Sequence, residues 1–98
     1  DMLLSYHLMG SSFRFELQDG SFIDWQILPI RVDKWRPHGV RYRLAWIQDG
    51  DCRVLFDNHH GKIDHVHIDG REKPYKITSI GKLWNDFFAE IRSLGGFI

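Results

Sequence analysis

Apolar and polar residues alternate with a period of two through the first two-thirds of the chain, then switch to a helical spacing near its end. Phe13, Phe15 and Leu17 alternate with Arg14, Glu16 and Gln18, Asp19-Gly20 follows, and a second apolar-rich run extends from Phe22 to Ile30. That pattern predicts a hairpin closed by a tight turn. Val40, Tyr42, Leu44 and Trp46 share one face of a third run, Gln48-Asp49-Gly50-Asp51 turns the chain, and Cys52, Val54 and Phe56 are expected to share the apolar face of the returning strand, because successive side chains of a strand point to opposite sides. On this reading Cys52 belongs to the core. Leu4, Tyr6 and Leu8 predict a further strand at the start, with His7 on it and Gly10-Ser11-Ser12 ending it.

After Phe56 the pattern becomes polar. Residues Asp57 to Lys62 read as a loop, Asp64 to Ile68 as a short alternating strand, and Arg71 to Pro74 as a second loop. From Ser79 onward Ile80, Leu83, Phe87, Ile91 and Leu94 fall on one helical stripe, widened by Trp84 and Phe88, while Lys82, Asp86, Glu90 and Arg92 occupy the other side. Ser79 is the expected N-cap and Gly95-Gly96 the stop. The fold class these elements predict is α+β, an antiparallel β-sheet meander with one C-terminal amphipathic helix packed on it. Ninety-eight residues leave room for a single domain over 1–98.

Composition narrows the functional classes. Thirteen basic residues balance thirteen acidic ones, so the chain is neither a basic nucleic-acid coat nor an acidic tail, and any charge argument must be local. A lone cysteine excludes an internal disulfide and a cysteine-based zinc finger. The apolar runs are far shorter than the ~20 residues a spanning helix needs, so no membrane partner is expected. The start of the chain lacks the basic and cleavage regions of a secretory signal, and a cytoplasmic location is expected.

Candidate chemistry concentrates in one stretch. His59, His60, His65 and His67 fall close together, accompanied by Asp57, Lys62, Arg71, Glu72 and Tyr75. If residues 64 to 68 are extended, His65 and His67 project together to solvent and Val66 and Ile68 project to the core. Two chemistries fit this set. Metal-independent RNA cleavage would use His65 or His67 as base or acid, Lys62 and Arg71 to hold the phosphate, and Tyr75 or His60 as the alternate acid. A divalent metal would instead be held by the His65–His67 pair together with His60 or Asp57. A third reading makes the segment a polar edge strand whose histidines only solvate the surface. Asp57-Asn58 is expected to initiate a turn through its own backbone, and Gly61 to supply a backbone angle.

A second local signal lies between Arg31 and Arg43. Arg31, Lys34, Arg36, Arg41 and Arg43 face a single acid, Asp33, with Trp35 and Tyr42 interleaved. Cations that hold phosphates and rings that stack on bases are the elements of single-stranded RNA recognition. Arg31, Trp35, Arg36, Arg41 and Arg43 are the candidate RNA-binding residues, and a solvated hairpin face is the plainer alternative.

The run Asp57-Asn58-His59-His60-Gly61-Lys62, then His65-Val66-His67-Ile68, then Gly70-Arg71-Glu72-Lys73-Pro74-Tyr75, followed by Thr78-Ser79 and a helix containing Asp86-Phe87, resembles the TumE-like toxin family of prokaryotic toxin–antitoxin systems. The resemblance is strongest from about residue 40 to 92. The chain departs from the family pattern at Ile63, where a second glycine is frequent, and at Val66, where an arginine is. The resemblance implies a small toxin whose partner is a cognate antitoxin of helix-turn-helix type. Combined with the residues, it favours a toxin acting on RNA by metal-independent cleavage, with His60, Lys62, His65, His67, Arg71 and Tyr75 as the catalytic set and no cofactor. The alternative is a non-catalytic module that blocks a nucleic-acid or protein target.

Overall fold

Three Asp-Gly pairs set the connections of the sheet. The computed structural model describes residues 12–34, 36–58 and 63–98; the strand expected over residues 4–8 with His7, and Trp35, His59, His60, Gly61 and Lys62, lie outside them. Strand β1 (Phe13–Glu16) reaches β2 (Phe22–Pro29) through a turn in which Gly20 takes φ +85°. Strands β3 (Val40–Gln48) and β4 (Asp51–Asp57) are joined by Asp49 and Gly50 at φ 52° and 81°. Positive φ at both central residues defines the mirror-image turn whose twist matches that of paired strands.

Asp69 and Gly70, at φ 47° and 80°, make the same turn between β5 (His65–Ile68) and β6 (Arg71–Pro74). The loop expected over Arg71 to Pro74 is therefore a strand. It carries no apolar alternation because it is the outer edge, where a strand has one neighbour and all four residues are exposed. The sheet runs β1-β2-β3-β4-β5-β6, with every pair antiparallel.

One irregularity decides which side chains face the core. Ile47 pairs with Cys52 but Trp46 pairs with Val54, so Arg53 is an extra residue in β4. This bulge reverses the alternation between Cys52 and Val54. Cys52 is consequently exposed and lies on the opposite face from Val54 and Phe56, which corrects its expected place in the core. Arg53 is anchored outside the ladder, donating to both Asp69 carboxylate oxygens (2.9 and 3.1 Å) and to Gln48 Oε1 (2.7 Å).

Helix α1 (Ile80–Ser93) covers one face of the sheet. It begins at Ser79, whose Oγ accepts the Lys82 N–H at 3.0 Å, as an N-cap should. It ends with Gly95 at φ 90°, the Gly95 N–H bonding to the Arg92 carbonyl and the Gly96 N–H to that of Ile91. That is a Schellman cap. A Cβ on Gly96 would collide with the Ile91 side chain and crowd Trp46, so this second glycine lets the chain end pass close to the core.

Leu83, Phe87 and Ile91 are buried against Ile23, Tyr42, Leu44, Trp46, Val54, Phe56 and Val66, which the register places on one side of the sheet. Ile80, expected on the buried stripe, stands 44% exposed because the stripe begins to bury only one turn further on. Asn58 closes the end of the β3–β4 pair. Its Oδ1 accepts the Tyr42 N–H (2.9 Å) and its Nδ2 donates to the Val40 carbonyl (2.7 Å). This cross-strand clip satisfies backbone groups that would cost about 1–3 kcal/mol each if left buried and unpaired.

Candidate functional site

The sheet face turned away from α1 collects the side chains whose chemistry the sequence singled out. Residues directly opposite one another on neighbouring strands share a face. Arg43 stands opposite Asp57, and Asp57 opposite His65, so three strands contribute one row of cation, carboxylate and imidazole. The next row runs Ala45, Leu55, His67 and Glu72. Arg41, two residues before Arg43, projects to the same side. The two arginines and the two histidines, read from separate segments, therefore lie on one surface.

His65 and His67 share this face and Val66 is buried on the other, as alternation predicts, but the two histidines are not equally exposed. His65 is buried at 7% relative accessibility, while His67 is half-buried. Their rings meet edge to face with centroids 5.0 Å apart. The expected joint exposure fails because Asp57 stands opposite His65 and shelters it, with His65 Nε2 2.6 Å from Asp57 Oδ1. The approach is not aligned as a hydrogen bond, and Oδ1 is a buried oxygen with no hydrogen-bond donor among the described residues. On the other side of the ring, Nδ1 lies 3.0 Å from the Ile63 carbonyl oxygen. A carbonyl only accepts, so Nδ1 carries the proton of that bond.

The other described members of the expected set, Arg71, Tyr75, Arg36 and Arg31, are placed elsewhere. Arg71 pairs with Ile68, on the core side of the sheet, at its exposed margin. Tyr75 packs edge-on against Phe56 (centroids 5.0 Å) and donates its hydroxyl to Asp86 Oδ2 of α1 at 2.7 Å. Burial, followed by the Asp86 carboxylate, pushes the Tyr75 phenol well above its ordinary range, so it holds its proton. Both residues are thus on the opposite side of the sheet from His65 and His67. In the connection before β3, Arg36 turns inward and closes a bend on Asp33, through its backbone N–H (2.7 Å) and its guanidinium (3.0 Å), whereas Arg31 is exposed.

Asp86 also takes both bonds from Lys82 Nζ, at 3.0 and 2.8 Å. Lys82, then Tyr75, hold its carboxyl below the ordinary carboxylate range. A depressed folded pKa contributes stability that is present above the ordinary carboxylate pKa and lost as pH falls through the folded value. Asp86→Asn is therefore expected to lie below the wild type in stability near neutrality and to converge on it in acid. Urea unfolding at a series of pH values checks this, and parallel curves would contradict it.

A buried polar network went unread in the sequence. Asp64 Oδ1 accepts the Tyr42 hydroxyl at 2.9 Å and lies 3.2 Å from His38 Nε2, while its Oδ2 accepts the Ile77 N–H at 3.1 Å. His38 Nδ1 accepts the Val40 N–H at 3.2 Å, so Nε2 carries the proton directed at Asp64. Both ring nitrogens are engaged, and burial with the Asp64 charge pushes the Tyr42 phenol far above its ordinary range. This cluster ties the β2–β3 connection to the segment entering α1. Glu72, part of the chemistry-bearing stretch but given no role there, is placed opposite His67 by the Asp69-Gly70 turn.

Fold and site together define a small α+β protein with a helix packed on one sheet face and the other carrying histidines, arginines and carboxylates. Comparison with protein families matches the one described as Toxin TumE over residues 7–94. The chain belongs to the TumE toxin family, and this membership points to an antitoxin partner. Neither the curated proteins nor the solved structures gave a match. Among the described residues no helix is long and apolar enough to cross a membrane.

Proposed function

We propose that this toxin acts on RNA, cleaving it on the sheet face that bears Arg41, Arg43, His65 and His67. The observation that supports the reading is the shared face itself: the register lines Arg43, Asp57 and His65 across three strands and sets His67 beside them. In metal-independent cleavage a base takes the proton of the 2′-OH, that oxygen attacks the adjacent phosphorus, and the departing 5′-oxygen receives a proton. His67, half-buried and beside the sheltered His65, is assigned the base. Arg41 and Arg43 supply the positive charge that holds the RNA through its backbone phosphates.

Tyr75 lies on the far side of the sheet, so the acid is assigned to His60, with Lys62 as a further phosphate contact from the same connection between β4 and β5. The antitoxin is proposed to be of helix-turn-helix type. Induction of the wild type in cells is expected to stop growth while cellular RNA fragments, and His67→Ala to do neither. Growth arrest with intact RNA, persisting in His67→Ala, would replace cleavage by a module that blocks its target.

A further inference from the structure

We propose that His65, His67 and Glu72 form a binding site for a divalent transition-metal ion, with Zn²⁺ the best-matched ion, and that metal bound there switches RNA cleavage off. One ligand atom from each of the three residues lies within 4.8 Å of the other two. Two imidazoles and a carboxylate are a donor set that zinc accepts, with bonds of about 2.0–2.2 Å that put tetrahedral ligands roughly 3.3–3.5 Å apart. Glu72 is exposed and His67 half-buried, so the two outer side chains have room to close that gap, while His65 is held in place.

Two features of His65 fit a ligand. Its Nδ1–H is directed at the Ile63 carbonyl, the second contact that orients metal-bound imidazoles and leaves Nε2 with its lone pair. That Nε2 then faces Asp57 Oδ1, a buried oxygen with no hydrogen-bond donor among the described residues, at 2.6 Å. A buried carboxylate oxygen set against that nitrogen calls for positive charge beside it. A metal ion meets that demand and at the same time engages His67 and Glu72, which the register sets beside His65.

Metal bound in this way occupies the His67 lone pair that would take the 2′-OH proton, so zinc and cleavage exclude each other. The exclusion rests on the function proposed above, but the binding site does not. The test uses the full chain, stripped of metal by chelation and titrated with zinc chloride in a calorimeter, with Co²⁺ absorption as a reporter of coordination.

One zinc per chain is expected, weakened at least tenfold by Glu72→Gln and lost in His67→Ala, with Co²⁺ bands that disappear in the same variants. Glu72 is an exposed edge residue, so its variant keeps the fold, which circular dichroism verifies. Zinc binding unchanged in both variants, or well under one ion per chain, overturns the site. In the activity arm, zinc is expected to inhibit RNA cleavage and chelation to restore it. Activation by zinc overturns the inhibitory role. Stoichiometric zinc binding by a protein that leaves RNA intact with or without metal supports the site and refutes only the cleavage reading.

Discussion

Replacing His67 by alanine is expected to lower the maximal rate of RNA cleavage by about 10²–10⁴, the usual contribution of a general acid or base, while RNA affinity stays near that of the wild type. The side chain is half-buried on the face away from the helix and its ring meets His65 edge to face, so truncation removes a proton acceptor and leaves the core intact. The double variant Arg41→Ala/Arg43→Ala is expected to fail in the opposite way. Its affinity falls and its dependence on salt becomes shallower, because each phosphate contact removed releases fewer counterions, and its rate recovers at saturating RNA. Single-turnover cleavage and filter binding at several salt concentrations separate the two. Full cleavage by His67→Ala would remove the imidazole from the mechanism.

Phe87→Ala is expected to have the largest effect on stability. Phe87 is fully buried and meets Phe56 at a centroid distance of 5.7 Å and Trp84 at 6.0 Å, both edge-on. It joins the helix to the centre of the sheet. Truncating such a residue costs about 3–5 kcal/mol, out of the roughly 5–15 kcal/mol that holds a domain together. At about 4–8 °C per kcal/mol for a domain near this size, the melting temperature should fall by at least about 12 °C. Urea and thermal unfolding followed by circular dichroism measure both quantities, and a loss below about 1 kcal/mol would show that the helix is not docked as described.

Where one strand's own alternation carried the information, the fold was legible in the sequence. Phe22 to Ile30 declares its strand, Val40 to Trp46 its buried face, Asp49-Gly50 its turn, and Leu83, Phe87 and Ile91 the helix stripe. Failures came where a neighbour decides. Arg71 to Pro74 has no apolar side to show, since an edge strand is made by its partner's ladder. Cys52 looks in phase with Val54 until the extra Arg53 is counted. The site was legible to a similar depth. Alternation put His65 and His67 together, but the burial of His65 depends on Asp57 across the ladder, and Glu72 becomes a neighbour of His67 only once β6 exists. Tyr75 follows Pro74 out of the sheet, and no periodicity could indicate that its hydroxyl reaches Asp86.

The bulge at Arg53 also sets how this protein tolerates change in its gene. Side-chain direction alternates with every residue of a regular strand, so a codon lost or gained inside a ladder turns over the residues beyond it. Arg53 is the exception: Cys52 and Val54 already stand opposite the adjacent Ile47 and Trp46, so loss of its codon would close a regular ladder and leave Val54, Phe56, Val66 and the two histidines on the faces they occupy now. A codon lost between Ile30 and Gly39, where the chain only crosses from β2 to β3, likewise turns no strand over. Insertions and deletions among relatives should accordingly collect in that crossing and, within the buried β3–β4 hairpin, at the bulge.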